Sequence, residues 1–248
     1  MKHLLVLCCI CSMYCNAQEK SFPDLENFTI GSKSIYLKLP QQSVIEAGAR
    51  GQNAIWDFSS LKVESKDTLT QEIVKVKDTP YASDYPKANL AEKNSDGSWV
   101  FIEKDKDMSK VWGIITTQGI KMSNTTPYIF LKRPIKYNDS ISGKSEREYS
   151  VKGQSIKGTN NYYTVVDGMG TLKLAAKTYK DVVRIKFVQS FEDGAGDNLT
   201  KIFVTSYAWF DRSHKAAILK IDHVKVSNKW YNNENNDVEV LLDEKVVY

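Results

Sequence analysis

Cysteine occurs only near the start of this chain, at Cys8, Cys9, Cys11 and Cys15, and not once afterwards. A chain that sheds its first residues on export therefore has no disulfide, thiol nucleophile, thiolate zinc site or iron–sulfur cluster. Histidine is as scarce: beyond His3 there are only His214 and His223. His214 lies in a charged turn, Asp211-Arg-Ser-His-Lys215, and His223 lies on a strand-like segment sharing a face with Ile221. Neither placement makes a metal-ligand motif. No Gly-x-Ser-x-Gly turn offers a serine nucleophile. Gly168-Met-Gly170 lacks the third glycine, the following helix and the later acidic residue of a dinucleotide loop. These absences leave no catalytic residue and no cofactor to name.

Charge of one sign is not concentrated anywhere. The 34 basic and 30 acidic residues are interspersed, which excludes the basic stripe of a nucleic-acid binder. Past the first seventeen residues no run approaches the ~20 apolar residues of a membrane-spanning helix, so an integral membrane protein is not expected. Nor does a sustained helical stripe appear. The best helical candidate, Pro80–Ala91, has weak spacing.

What is present begins with a leader. Lys2, an apolar run from Leu4 to Tyr14 and the small Ala17 form the three-part layout of a secretory signal, with cleavage expected after Ala17. Residues 1–17 are thus a signal peptide and residues 18–248 the mature chain. The rival, a lipoprotein signal, fits poorly because Ser12-Met13-Tyr14 before Cys15 is not a lipobox. A disulfide-free mature chain of about 230 residues must hold itself with an ordinary hydrophobic core, and that length suffices.

Almost every readable segment has a period of two: Ser34–Leu39, Gln71–Lys77, Trp99–Glu103, Val111–Thr117, Tyr162–Val166, Val182–Phe191 and Lys201–Phe210 among them. The pattern predicts an all-β fold of about a dozen short strands with little helix, as an antiparallel β-sandwich or a curved half-barrel sheet. Asn94-Ser-Asp-Gly97 reads as a tight hairpin. Glu192–Asn198 reads as a glycine-rich hairpin loop, and Asn232–Asp237 as a solvated loop before the last strand. Asp167–Phe187 reads as a glycine corner and two core strands, its glycines set where the strand bends or another backbone comes close. A single domain over 18–248 is expected, the alternative being two packed β units divided near Asn138–Lys144.

Four local patterns carry a resemblance. They are Gly31…Ile35-Tyr36-Leu37 with Gly48-Ala-Arg-Gly51-Gln-Asn53-Ala-Ile-Trp56-Asp57-Phe58-Ser59-Ser60-Leu61; Pro134-Ile-Lys-Tyr137-Asn-Asp139-Ser140; Gly168-x-Gly170-Thr171-Leu172 with Tyr179-x-Asp181-Val182-Val183-Arg184-Ile185; and Tyr207-x-Trp209-Phe210 followed by Ile218–Ile221. Together, over about residues 30–221, they resemble β-rich domains of secreted proteins from Bacteroidota-type bacteria. The resemblance implies a β domain in an exported protein and carries no activity. Two departures stand out. The loop Ala175-Ala176-Lys177 replaces the Pro and Gly of the pattern, and LLDEKVVY is unlike the sorting domain that often ends such proteins. The expected location is therefore exported, as a secreted, periplasmic or outer-membrane-peripheral protein.

Three groups of residues invite a functional reading. Phe203, Tyr207 and Trp209 form an aromatic strand face that either packs in the core or lines a groove for sugar or lipid. Asp193, Asp197 and Asn198 share one glycine-rich loop and are a weak calcium candidate, since their spacing is not that of a calcium loop. Asp57, Glu103, Asp167, Asp193 and Asp222 are carboxylates of the kind a glycoside hydrolase pairs, although with 30 acidic residues nothing singles out one pair. The favoured expectation is a non-enzymatic exported protein that binds a glycan, a lipid or an envelope partner. The alternatives are a carboxylate-dependent glycan hydrolase and a purely structural envelope protein.

Overall fold

The computed structural model describes residues 21–22, 25, 28–39, 44–63 and 65–246. The expected signal peptide and its four cysteines lie outside the described residues. Fifteen strands follow one another: β1 (Ser21–Phe22), β2 (Lys33–Leu39), β3 (Gly51–Phe58), β4 (Thr68–Lys75), β5 (Leu90–Asn94), β6 (Trp99–Lys104), β7 (Met108–Ile115), β8 (Lys121–Lys132), β9 (Ile135–Lys136), β10 (Ser140–Val151), β11 (Gln154–Leu174), β12 (Thr178–Asp193), β13 (Thr200–Phe210), β14 (Leu219–Ser227) and β15 (Asn232–Lys245).

Twelve of them close into one antiparallel barrel. Each barrel strand pairs with the next one in the chain, from β2 through β4–β8 and β10–β15, and β15 returns to β2 through pairs such as Val238 with Leu39. The all-β antiparallel expectation holds. The sheet, however, runs on until it meets itself instead of stopping as a half-barrel, and it takes in strands on both sides of 138–144. Nor are all the strands short, since β11 runs for 21 residues. Its first part pairs with β10, and its last part, beyond the end of β10, takes β3 as a parallel neighbour on the same edge. That parallel pair is the one departure from antiparallel pairing among the described strands.

Two sequence expectations change. The stretch Pro80–Ala91 is not an α-helix: a short 3-10 turn at Val76–Asp78 precedes a string of turns, and β5 begins at Leu90. This strap lies on the outside of the wall, where the Tyr85 ring stacks on Phe101 with centroids 3.8 Å apart. Asn232–Asp237 is not a loop but the start of β15, in register with β14 from Ser227–Asn232 to Asp222–Asp237. A polar run is tolerated there because its backbone pairs with β14 on one side while the alternate side chains face the lumen.

The predicted hairpins are in place. Gly97 takes a φ of +89°, and the Asp96 carboxylate accepts the Ser98 amide at 2.9 Å. Glu192–Asn198 connects β12 to β13.

The largest core lies outside the barrel wall, between β3 and strands β11–β15. Trp56, Phe58, Leu172, Trp209, Leu219 and Ile221 are all buried in it. Trp209 takes Trp56 and Phe58 edge-on, at centroid distances of 6.0 and 5.5 Å. Arg184, 1% exposed, is set among these rings. Its Nε and Nη2 donate to the two Asp167 carboxylate oxygens at 2.7 and 2.9 Å, and Nη1 donates to the Ala47 and Gly48 carbonyls. The guanidinium also lies about 5 Å from the Trp56 and Tyr207 ring centroids (5.1 and 5.2 Å). A buried charge with all three guanidinium nitrogens engaged is the arrangement that makes burial tolerable.

The glycine corner is explained by β3. A Cβ on Gly170 would sit 1.9 Å from the Ala54 carbonyl oxygen, and one on Gly168 would sit 2.5 Å from the Trp56 ring. Gly170→Val should therefore lift β3 off β11 and cost about 3 kcal/mol or more. Gly153→Ala, in a turn with φ +79° and open space around it, should cost only about 1–2 kcal/mol. Urea unfolding of the two variants checks this, and equal midpoints would contradict the close approach of β3.

Candidate functional site

Residues directly opposite one another on neighbouring strands share a face, so the register identifies the inner wall. Along one level Thr164, Phe187, Ser206, Asp222 and Asp237 face inward, and one step along Ile185, Ala208, Lys220 and Glu239 do so. The outer core uses the intervening residues Trp209, Leu219, Ile221 and Val238. The first half of β14 is thus amphipathic with its apolar side chains, Leu219 and Ile221, outward and its charged ones, Lys220 and Asp222, in the lumen.

A cavity of about 270 Å³ lies in this lumen. Its apolar wall comes from Ile73, Val100, Ile102, Val111, Phe130 and Phe187, contributed by β4, β6, β7, β8 and β12, and small residues such as Ala208 on β13 leave it room. On another side stand Tyr36, Gln71, Glu92 and Lys220. The Lys220 ammonium donates to Gln71 Oε1 at 2.9 Å and to Glu239 Oε2 at 3.2 Å. It also sits 3.7 Å from the centroid of the Tyr36 ring. Gln71 Nε2 in turn donates to Glu92 Oε1 at 3.1 Å.

Burial pushes the Glu92 carboxyl up, against the pull of Lys220. For Lys220, burial works against the charge, but the Tyr36, Glu239 and Glu92 side chains around it outweigh that and hold its pKa above the ordinary lysine value. The network therefore closes on itself: its cation and its amide are both engaged, and the apolar wall needs no charge from a ligand.

Further along the lumen, burial lifts the Asp222 carboxyl to about 6, even though it accepts a hydrogen bond from Ser206. Burial likewise pushes the Tyr128 phenol up to about 12, and its hydroxyl bonds the Gln189 side chain.

The residues singled out from the sequence fall elsewhere. Phe203, Tyr207 and Trp209 share the outer face of β13 and do not line the cavity. Trp209 is fully buried in the outer core, Tyr207 packs partly against it, and Phe203 is 44% exposed. Asp193 is buried, with Arg147 Nε donating to it at 2.9 Å, Arg147 Nη2 to its second oxygen, and the Tyr149 hydroxyl at 3.0 Å. Asp197 pairs with Lys229 at 2.7 Å. Asn198 ends a 3-10 turn, and no group of three or more metal-binding side chains occurs among the described residues.

The hydrolase carboxylates are likewise scattered. Asp57 accepts from Ser59 and Lys173, Glu103 from Lys110 and Trp112, and Asp167 from Arg184, and of the five only Asp193, already paired with Arg147, and Asp222 take inward positions, on strands β12 and β14. Asp211, Ser213 and His214 do meet, but not as a triad. Ser213 Oγ and Asp211 Oδ1 both approach the same ring nitrogen, His214 Nδ1, at 3.3 and 2.9 Å. A triad needs the serine on the opposite nitrogen. His223 bonds Asn236 across the outer face.

The class these features define is a closed antiparallel barrel with a partly apolar lumen. No protein-family model, no curated protein and no solved structure matches the chain.

Asp222 sets a pH dependence. Its folded pKa lies above the unfolded value of 3.8, so below about pH 4 it is protonated in both states and contributes nothing. The loss of stability begins as pH rises through 3.8, where the unfolded state ionises, and is complete above about 6. Asp222→Asn should match the parent at about pH 3 and exceed it at pH 8 by up to about 3 kcal/mol. Urea unfolding at the two pH values measures this, and an unchanged difference would show that Asp222 ionises freely in the lumen.

Proposed function

We propose that this protein is an exported, non-enzymatic barrel that holds a small apolar or amphipathic molecule, of lipid type, in its lumen. The observation that carries the reading is the cavity wall: six strands supply apolar side chains around open space, and the ionic network beside them satisfies itself. A barrel kept only for its own stability gains nothing from leaving such a wall unfilled, since empty apolar space forfeits dispersion contacts. A lipid-like ligand fits the wall better than a glycan, which needs hydrogen-bonding groups on most of its surface.

The leader layout and the resemblance to secreted β domains support an envelope or extracellular setting. The outward side of β10 carries Lys144, Glu146 and Glu148, all exposed. Charges there favour a wall facing water over one facing lipid. Among the described residues no helix is long and apolar enough to cross a membrane.

The mature chain should take up cis-parinaric acid with a rise in probe fluorescence and micromolar affinity. Ala208→Phe, which places a ring into the cavity, should weaken uptake by tenfold or more while keeping the parent's thermal midpoint within a few degrees. A parent protein that leaves the probe dark across the solubility range of the fatty acid would remove this reading.

A further inference from the structure

Beyond the cavity the lumen contains a second feature that its apolar wall does not explain. Three inward side chains on β10 and β11 bury polar atoms that have no hydrogen-bond partner among the described residues: Ser145 Oγ, both amide atoms of Asn160 and Thr164 Oγ1. The residues are 0%, 1% and 3% exposed, and Gln189 on β12, 7% exposed, lies beside them. They are neighbours by register. Ser145 pairs with Asn160, and Gln189 faces Tyr162, midway between Asn160 and Thr164 on β11. A single orphaned hydroxyl is ordinary, but this row gathers four such atoms on one patch of wall, where each one left unpaired destabilises the fold.

The row adjoins the cavity. Thr164 sits opposite Phe187, and Gln189 bonds the Tyr128 hydroxyl. Phe187 and Tyr128 both line the cavity, with their rings 5.8 Å apart and tilted by 34°. This pair of rings is the partition between apolar cavity and polar row.

The chemistry of the row is specific. Two amides and two hydroxyls can both donate and accept, whereas a site for an anion offers donors and a site for a cation offers acceptors. The nearest opposite charges, Arg147 and Asp193, satisfy each other. Asp222, on β14 with β12 and β13 between it and Thr164, is engaged by Ser206.

Resting on the lumen-binding reading above, we infer that the ligand carries an uncharged head rich in hydroxyl or amide groups, which passes the Tyr128–Phe187 partition and docks on Ser145, Asn160, Thr164 and Gln189 while its apolar body fills the cavity. The ligand class is thus a neutral polar lipid, such as an acylglycerol or glycolipid, in preference to a free fatty acid.

Displacement of cis-parinaric acid by three twelve-carbon competitors tests this: 1-monolaurin, methyl laurate without hydroxyls, and laurate with a charge. Monolaurin should displace the probe at concentrations at least tenfold below the other two, because a site built to pair with hydroxyls rejects an analogue that lacks them. Asn160→Leu and the near-isosteric Thr164→Val should each erase that advantage, leave methyl laurate unchanged, and hold or raise the thermal midpoint, since they delete unpaired groups. Loss of the advantage with retained stability supports docking on the row. If monolaurin and methyl laurate compete equally in the parent, or if both variants keep the monolaurin advantage, the row only holds water and the inference falls while the lumen reading stands. A protein that binds no probe at all removes both.

Discussion

The pairing of β15 with β2 joins the last barrel strand to the first and leaves the cylinder without a free edge. Each barrel strand then has a neighbour on both sides, which no flat sheet of these strands achieves. Closure also fixes the width. About eight strands make a barrel whose interior side chains just fill, and each added pair widens it. A ring of twelve encloses more space than the inward residues occupy, particularly where they are Ala208 and the neighbouring small residues. The lumen cavity is therefore a consequence of strand number, and the choice of side chains decides only its chemistry.

A ring this wide needs support on its outer side, and the support turns on Arg184. One guanidinium ties Asp167 on β11, the carbonyls of Ala47 and Gly48, and the rings of Trp56 and Tyr207 into a single contact set. A buried ion pair of this kind gives weak net stability, yet losing one partner strands the other without solvent. It specifies how β3 lies on the wall. The motifs by which the chain resembles secreted β domains, Trp56-Asp-Phe58, Gly168-x-Gly170 and Val182–Ile185, meet at this point, so the fingerprint describes one docking surface.

Much of the wall was legible from alternation alone. Val182–Phe191 and Lys201–Phe210 are strands because their sequences repeat with a period of two, and Asp96-Gly97 marks its turn through the φ that glycine allows. The site was not legible, for a definite reason. Alternation gives two faces but not which of them meets water, and the usual assignment places apolar residues inside. Here β14 sends Leu219 and Ile221 outward under β3, and Lys220 and Asp222 inward. The aromatic face of β13 drew attention as a groove and belongs to the outer layer, while the alternate face, with Ser206 and Ala208, looks into the lumen. Asn232–Asp237 misled in the same way, since a polar run that faces a lumen mouth reads as a loop when only one solvent is imagined. Nothing in the local sequence around Asn160 or Gln189 signals a buried row; that follows from which strands lie side by side.

The parallel docking of β3 on β11 also orders events in time. Asp57 and Lys173 lie side by side in that pair yet are 116 residues apart in the chain. The β10–β11 hairpin, by contrast, grows outward from Val151 and Gln154 at its turn to Ser140 and Val165 at its ends, all within one short stretch of chain. Loop closure over such a span is costly, so the hairpins form early and the aromatic strand joins late. Until β11 and β12 exist, Trp56 and Phe58 have no surface to cover them. The chain therefore spends the first part of its folding with the Trp56 and Phe58 rings uncovered, and it depends on finishing quickly or on being shielded meanwhile.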